Sequence, residues 1–165
     1  MANALFYHLT RSPMEATLPM LLTRALEAGW HVVVRGVDKG RMDWLDQRLW
    51  AGPDEGFLPH GLAGGAHDAA QPVLLTTGAD RPNAAQCLMS IDGAAIAPEE
   101  CAGLERICIL FDGNDPAAVQ TARDQWKVLT GAGIAAQYWS EESGRWQKKA
   151  ESGGGGAIAL RGVAR

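Results

Sequence analysis

Unbroken apolar runs alternate along this chain with stretches whose apolar residues recur every three or four positions, the mark of strands separated by helices. "ALFYHL" (4–9) reads as a strand, and behind it Leu18, Leu21, Leu22, Ala25 and Leu26 share one helical face that ends at Gly29. Residues Ser12 to Glu15 have the spacing of a capping box, but Pro19 would press on the Glu15 carbonyl in a continuous helix. The helix is therefore predicted to begin near Thr17. "WHVVVRG" (30–36) is a β-branched strand buried on both faces, and Asp38 stands ready to cap a helix whose Met42, Leu45 and Leu49 turn inward. "PVLLTT" (72–77), "CLMSID" (87–92) and "RICILFDG" (106–113) read as three further strands. In "NDPAAVQTARDQWKVLTGAG" Asp115 is a cap, Pro116 the first helical residue and Gly131 a stop, and "IAAQYWS" leads out as a last strand.

Buried strands separated by helices predict an α/β fold with a single doubly wound, mostly parallel sheet and helices on both faces, a nucleotide-binding-like architecture. From Ser152 the chain changes character. "SGGGGAIALRGVAR" is rich in glycine and ends on a basic residue, so residues 1–151 are read as the domain and 152–165 as a flexible tail.

Composition narrows the function. A chain of 165 residues, 47% hydrophobic and 21% charged, suits one globular domain, and no apolar run approaches the roughly 20 residues of a membrane span. With no secretory leader in "MANALFYHLT", a cytoplasmic protein is expected, away from the membrane. Cys87, Cys101 and Cys108, odd in number and widely spaced, read as reduced thiols. The net charge of −4, with no row of aromatics along a basic groove, predicts that DNA is met only indirectly.

An α/β sheet invites a nucleotide, yet the phosphate-binding signals fail. "RGVDKG" sits between strand and helix without the glycine spacing or the lysine-hydroxyl pair of either phosphate loop, and Asp112 ends its strand without a partner motif. His60 and His67 share a loop with no further ligand at a suitable spacing, and Ser90 lies in an apolar strand without a nucleophile elbow. No catalytic residue, metal site or cofactor is predicted. A nucleotide-dependent α/β enzyme with a degenerate phosphate loop stays as the alternative reading.

Two constellations remain. Arg123, Trp126 and Lys127 fall in a narrow sector of the helix after Asp115, while Ala118, Ala122, Gln125 and Leu129 lie toward the sheet. Trp126 is thereby placed at the border of core and solvent. Either it packs half-buried beside solvated cations, or ring and cations receive a ligand with an apolar end and a negative charge. The second constellation is the glycine- and proline-rich "LWAGPDEGFLPHGLAGG", whose Trp50, Phe57 and Leu58 either close on their own domain or await a partner.

At this point the residues match a family. "FYHL", "LEAGWHVVVRG", "LDQRLW", "GFLPHGLAGG" and "ARDQWKVLTGAG" resemble, in order and spacing, the chi subunit of bacterial DNA polymerase III holoenzyme, from about Leu5 to Trp139. The resemblance implies a non-catalytic accessory subunit of the clamp-loader assembly in DNA replication. It would bridge the psi subunit, or another clamp-loader component, to the acidic C-terminal tail of single-stranded DNA-binding protein. The family's tail pocket falls here on Arg123, Trp126 and Lys127, which favours the ligand-binding reading of that helix. A basic residue that some members carry one turn upstream is Val119 here. The clamp-loader partner surface falls on Trp50, Phe57, Leu58, Pro59 and His60.

Overall fold

The computed structural model describes residues 3–51 and 59–152. Eight strands among them form one sheet, β1 (Asn3–Leu9), β2 (Val32–Arg35), β3 (Gly61–Leu62), β4 (Val73–Thr76), β5 (Cys87–Ser90), β6 (Arg106–Asp112), β7 (Ala135–Ser140) and β8 (Gln147–Ser152). Their order across the sheet is β3-β4-β2-β5-β6-β1-β7-β8, and every neighbouring pair is parallel except β7 with β8. The α/β architecture with a mostly parallel sheet is thus as expected. The two-residue β3 and the antiparallel edge strand β8 were not foreseen.

Three helices, α1 (Met14–Glu27), α2 (Lys39–Trp50) and α3 (Pro116–Gly131), cover the sheet. Alternating side chains sort the core into two layers. On one face Ala4, Phe6, Val33, Leu88, Ile107 and Ile109 pack with Ala122, Trp126 and Leu129 of α3. On the other, Val32, Val34, Met89, Cys108 and Leu110 pack with α1 and α2. Strands closed in on both faces account for the continuous apolar runs in the sequence.

The predicted start of α1 at Thr17 is corrected. The helix begins at Met14 and carries Pro19 inside it. Met14, Thr17, Leu18, Leu21, Leu22 and Ala25 form one buried stripe, and packing that stripe outweighs the one backbone bond that Pro19 forgoes. Gly29 does mark the exit, in the left-handed region with φ +84. In α3 the corresponding residue is Gly133, with φ +88, while Gly131 still belongs to the helix.

No α-helix separates β4, β5 and β6. β4 and β5 both flank β2, so residues 77–86 return the chain irregularly across the sheet, and a short 3-10 helix, Pro98–Gly103, lies before β6. Arg35, only 5% exposed, ties these segments down. Its guanidinium donates to the Glu100 carboxylate at 2.8 and 3.0 Å and to the carbonyls of Gly78, Ala79 and Ala95. Burial raises the Glu100 carboxyl, but the bonds from Arg35 and the Ala97 amide, with the Arg35 and Arg81 charges, outweigh it and leave the group below its ordinary value.

Candidate functional site

Asp115 caps α3 by accepting from the Ala117 amide at 3.0 Å, and Pro116 supplies the first turn, so the helix starts where the sequence indicated. Gln125 locks it to the loop after β5, with its amide exchanging bonds with the Ile96 backbone at 3.1 and 2.9 Å. Held so, α3 turns Lys127 to solvent and leaves Arg123 partly exposed on the adjacent turn.

Trp126 does not stand at the border of core and solvent. It is 3% exposed and lies 5.3 Å from the Phe6 ring and 6.2 Å from Tyr138, ring centre to ring centre. Spacing explains the correction: Trp126 is four residues after Ala122 and three before Leu129, on the stripe that faces the sheet. Ala4, Ala122 and Ala136 in the same layer leave the volume that an indole fills. The two cations and the ring therefore occupy the same turns of α3, with the ring beneath and the cations outside.

The second constellation is described in part, because Phe57 and Leu58 lie outside the described residues. Trp50, at the C-terminal end of α2, is 52% exposed and stacks on the His60 ring with centroids 4.2 Å apart. His60 itself is 4% exposed, and its Nε2 donates to the Asp46 carbonyl at 3.2 Å with the Asp46 carboxylate at 3.3 Å. Pro59 is half-buried beside it, and Leu62 of β3 packs on the α1–α2 layer of the core. The loop histidine is thus a satisfied structural group that seats an exposed tryptophan.

A cleft of about 750 Å³ opens at the C-terminal ends of β1 and β6. These neighbours send their helices to opposite faces, α1 with one core layer and α3 with the other, which is the switch point where open α/β sheets bind ligands. In nucleotide-binding proteins of a doubly wound architecture, amides of a loop between strand and helix hold phosphate. Here they hold Glu141. Its carboxylate accepts from the amides of Thr10, Arg11 and Ser12 at 3.1, 3.1 and 2.9 Å and from the Ser12 hydroxyl at 2.9 Å. Burial raises the Glu141 carboxyl, but those four bonds outweigh it and hold it below its ordinary value. The amides of this loop are thus taken up by a carboxylate of the chain itself. Nothing local in the sequence marks Glu141, which lies some 130 residues from its partners.

The family model described as "DNA polymerase III chi subunit, HolC" matches residues 1–137. The chain belongs to the chi subunit family of DNA polymerase III. It is 31% identical over 117 residues to the DNA polymerase III subunit chi of Pseudomonas aeruginosa, covering 71% of this chain and 79% of that protein. To the DNA polymerase III subunit chi of Escherichia coli it is 26% identical over 141 residues, covering 81% of this chain and 95% of that one.

The chi match contains Trp50, Pro59, His60, Arg123, Trp126 and Lys127, and ends inside β7. Glu141 and β8 come after it. Among the described residues, no helix is long and apolar enough to cross a membrane.

Proposed function

We propose that this chain is a non-catalytic accessory subunit of the DNA polymerase III clamp-loader assembly in DNA replication. It links that assembly to single-stranded DNA-binding protein by holding the acidic C-terminal tail of the latter. The observation that carries this reading is the pair Arg123 and Lys127, four residues apart on the outer side of α3, within the stretch that matches the family. Two cations one helical turn apart suit carboxylates spaced along a peptide. Trp126 supports them from below instead of meeting the ligand, and Val119, one turn before Arg123 and partly exposed, is the apolar neighbour for the end of the tail. Trp50, seated on His60 beside Pro59, serves the psi subunit or another clamp-loader component, together with Phe57 and Leu58.

Calorimetry with a peptide copying the acidic tail tests the tail site. Arg123→Glu should weaken binding at least about tenfold, equivalent to roughly 1.4 kcal/mol, and wild-type affinity should fall as salt rises. Unchanged binding by Arg123→Glu, with circular dichroism showing the fold intact, would remove the tail from this helix.

A further inference from the structure

The cleft of about 750 Å³ above β1 and β6 extends over the end of β5 as well, and it runs between the start of α1 and the flank of α3 from Asp115 to Gln125. Its floor is apolar. Leu9, Met14, Ile109, Phe111 and Ala122 line it, each buried yet still touched by solvent. A volume of this size encloses a drug-sized molecule or a short stretch of extended chain, far more than a bare ion needs.

Carboxylates reach the cleft from the ends of three adjacent strands. β5, β6 and β1 lie side by side, and Asp92, Asp112 and Glu15 follow them in that order. The acids are therefore set out along the rim, and among the described residues no group of three or more ligating side chains gathers at one point to hold a metal ion. Asp115, the cap of α3, adds a fourth. Against these four stand two guanidinium groups, of Arg41 and Arg11. Arg41 is spent on Asp92 at 3.0 Å, and Arg11 donates to the Glu142 carbonyl at 3.0 and 3.3 Å. Glu15, Asp112 and Asp115 have no ion pair among the described residues, and Asp112 and Asp115 each accept through Oδ1 alone.

Thr10 gives an independent sign. Its hydroxyl oxygen, on the wall of the cleft, is buried without a hydrogen-bond partner among the described residues, a polar group that a ligand's donor would satisfy. Anions fit badly here, because the amides of residues 10–12 are held by Glu141 and the first turn of α3 by Asp115. What matches is a positive charge on an apolar body. An extended chain carries cation, apolar side chain and cation at a pitch that follows the rim, whereas a linear polyamine brings no side chain to the floor.

We propose that the cleft receives a short basic segment of a partner polypeptide, with lysine or arginine side chains on Glu15, Asp112 and Asp115 and an apolar side chain on Ile109 and Phe111. Ala118 and Thr121, which line it, lie on the other side of α3 from Arg123 and Lys127 at 100° per residue. The site therefore needs neither the tail interaction nor the clamp-loader partner.

The test is calorimetric titration of the full chain at low salt with a pentapeptide that alternates lysine and leucine and is blocked at both ends. Saturable binding tighter than about 1 mM is expected, weakening as salt rises. The double variant Glu15→Gln, Asp112→Asn removes charge while keeping the acceptor oxygen of residue 112, and Thr121→Lys sets a cation on the exposed wall. Each should weaken binding at least about fivefold. Glu27→Gln, at the far end of α1, should bind as wild type. Thr121→Lys alters one exposed side chain, so it keeps the test decisive where the double variant lowers stability. Absence of saturable binding, binding indifferent to both cleft variants, or an equal loss in Glu27→Gln would overturn the proposal. So would a glutamate and leucine pentapeptide that binds as well, or spermine binding as tightly, which would give the cleft to a linear amine. Loss of tail-peptide binding in Arg123→Glu is read separately and leaves this outcome untouched.

Discussion

Glu141 reaches from the end of β7 into the loop after β1 and accepts two bonds from Ser12, one from its amide and one from its hydroxyl, each 2.9 Å long. With the amides of Thr10 and Arg11 also engaged, the loop that would cradle a phosphate is closed by the chain's own carboxylate. Titration of the wild-type chain with ATP or NAD should therefore give no heat of binding. Saturable binding of either would revive the nucleotide-dependent enzyme.

The same contact makes stability depend on pH. Glu141 is held below its ordinary value of 4.5, so its contribution is complete above that pH and is lost as pH falls through the lowered folded-state value. Glu141→Gln keeps the shape and removes the charge, and should cost about 1–2 kcal/mol near neutral pH. Its melting temperature should also fall less than that of wild type as the buffer is taken into the acid range. Parallel acid limbs for the two proteins would show that Glu141 contributes little.

Arg35 and Glu100 form the other anchored pair, with the arginine side chain 6% exposed and the glutamate 20%. Glu100→Gln strands a buried guanidinium without its counter-charge, and chemical denaturation should register a loss of about 3 kcal/mol. A loss below about 1 kcal/mol would mean that the carbonyls of Gly78, Ala79 and Ala95 suffice to hold Arg35.

Trp126 and Trp50 should respond in opposite ways. Trp126→Ala empties a core site and is expected to lower stability by about 3–5 kcal/mol. Trp50→Ala removes an exposed ring and should cost no more than about 1 kcal/mol while weakening capture of a clamp-loader partner. Equal thermal destabilisation by both, with binding intact in the folded fraction of Trp50→Ala, would return Trp50 to a structural role.

The end of the domain is testable by truncation. Ser152 closes β8 opposite Ala136 and is buried, so a chain ending at Ser152 should melt within about 2 °C of the full one, under about 1 kcal/mol at this size. A chain ending at Arg145 loses β8, exposes the edge of β7, and should melt several degrees lower. If the longer truncation melts like the shorter, β8 is dispensable.

Periodicity determined much of this protein by itself. The six apolar runs were legible as strands because a strand buried on both faces has no room for polar residues, and Asp38 and Asp115 were legible as caps because capping is a contact between near neighbours. The family, too, was carried by short local motifs, and the comparison with the chi subunits agrees. Trp126 was misplaced at the helix border although its spacing from Ala122 and Leu129 puts it on the stripe that faces the sheet; its depth was decided by packing on Phe6 and Tyr138, which come from distant strands. β8 escaped notice because an edge strand of lysine, glutamine and glutamate carries no apolar signal of its own. Glu141 in the loop of Ser12, Arg35 with Glu100, and Tyr7 beside Trp139 lie between about 65 and 132 residues apart in sequence. Only strand order sets such distances in space, and strand order follows from how whole faces pack, which no local stretch of sequence contains.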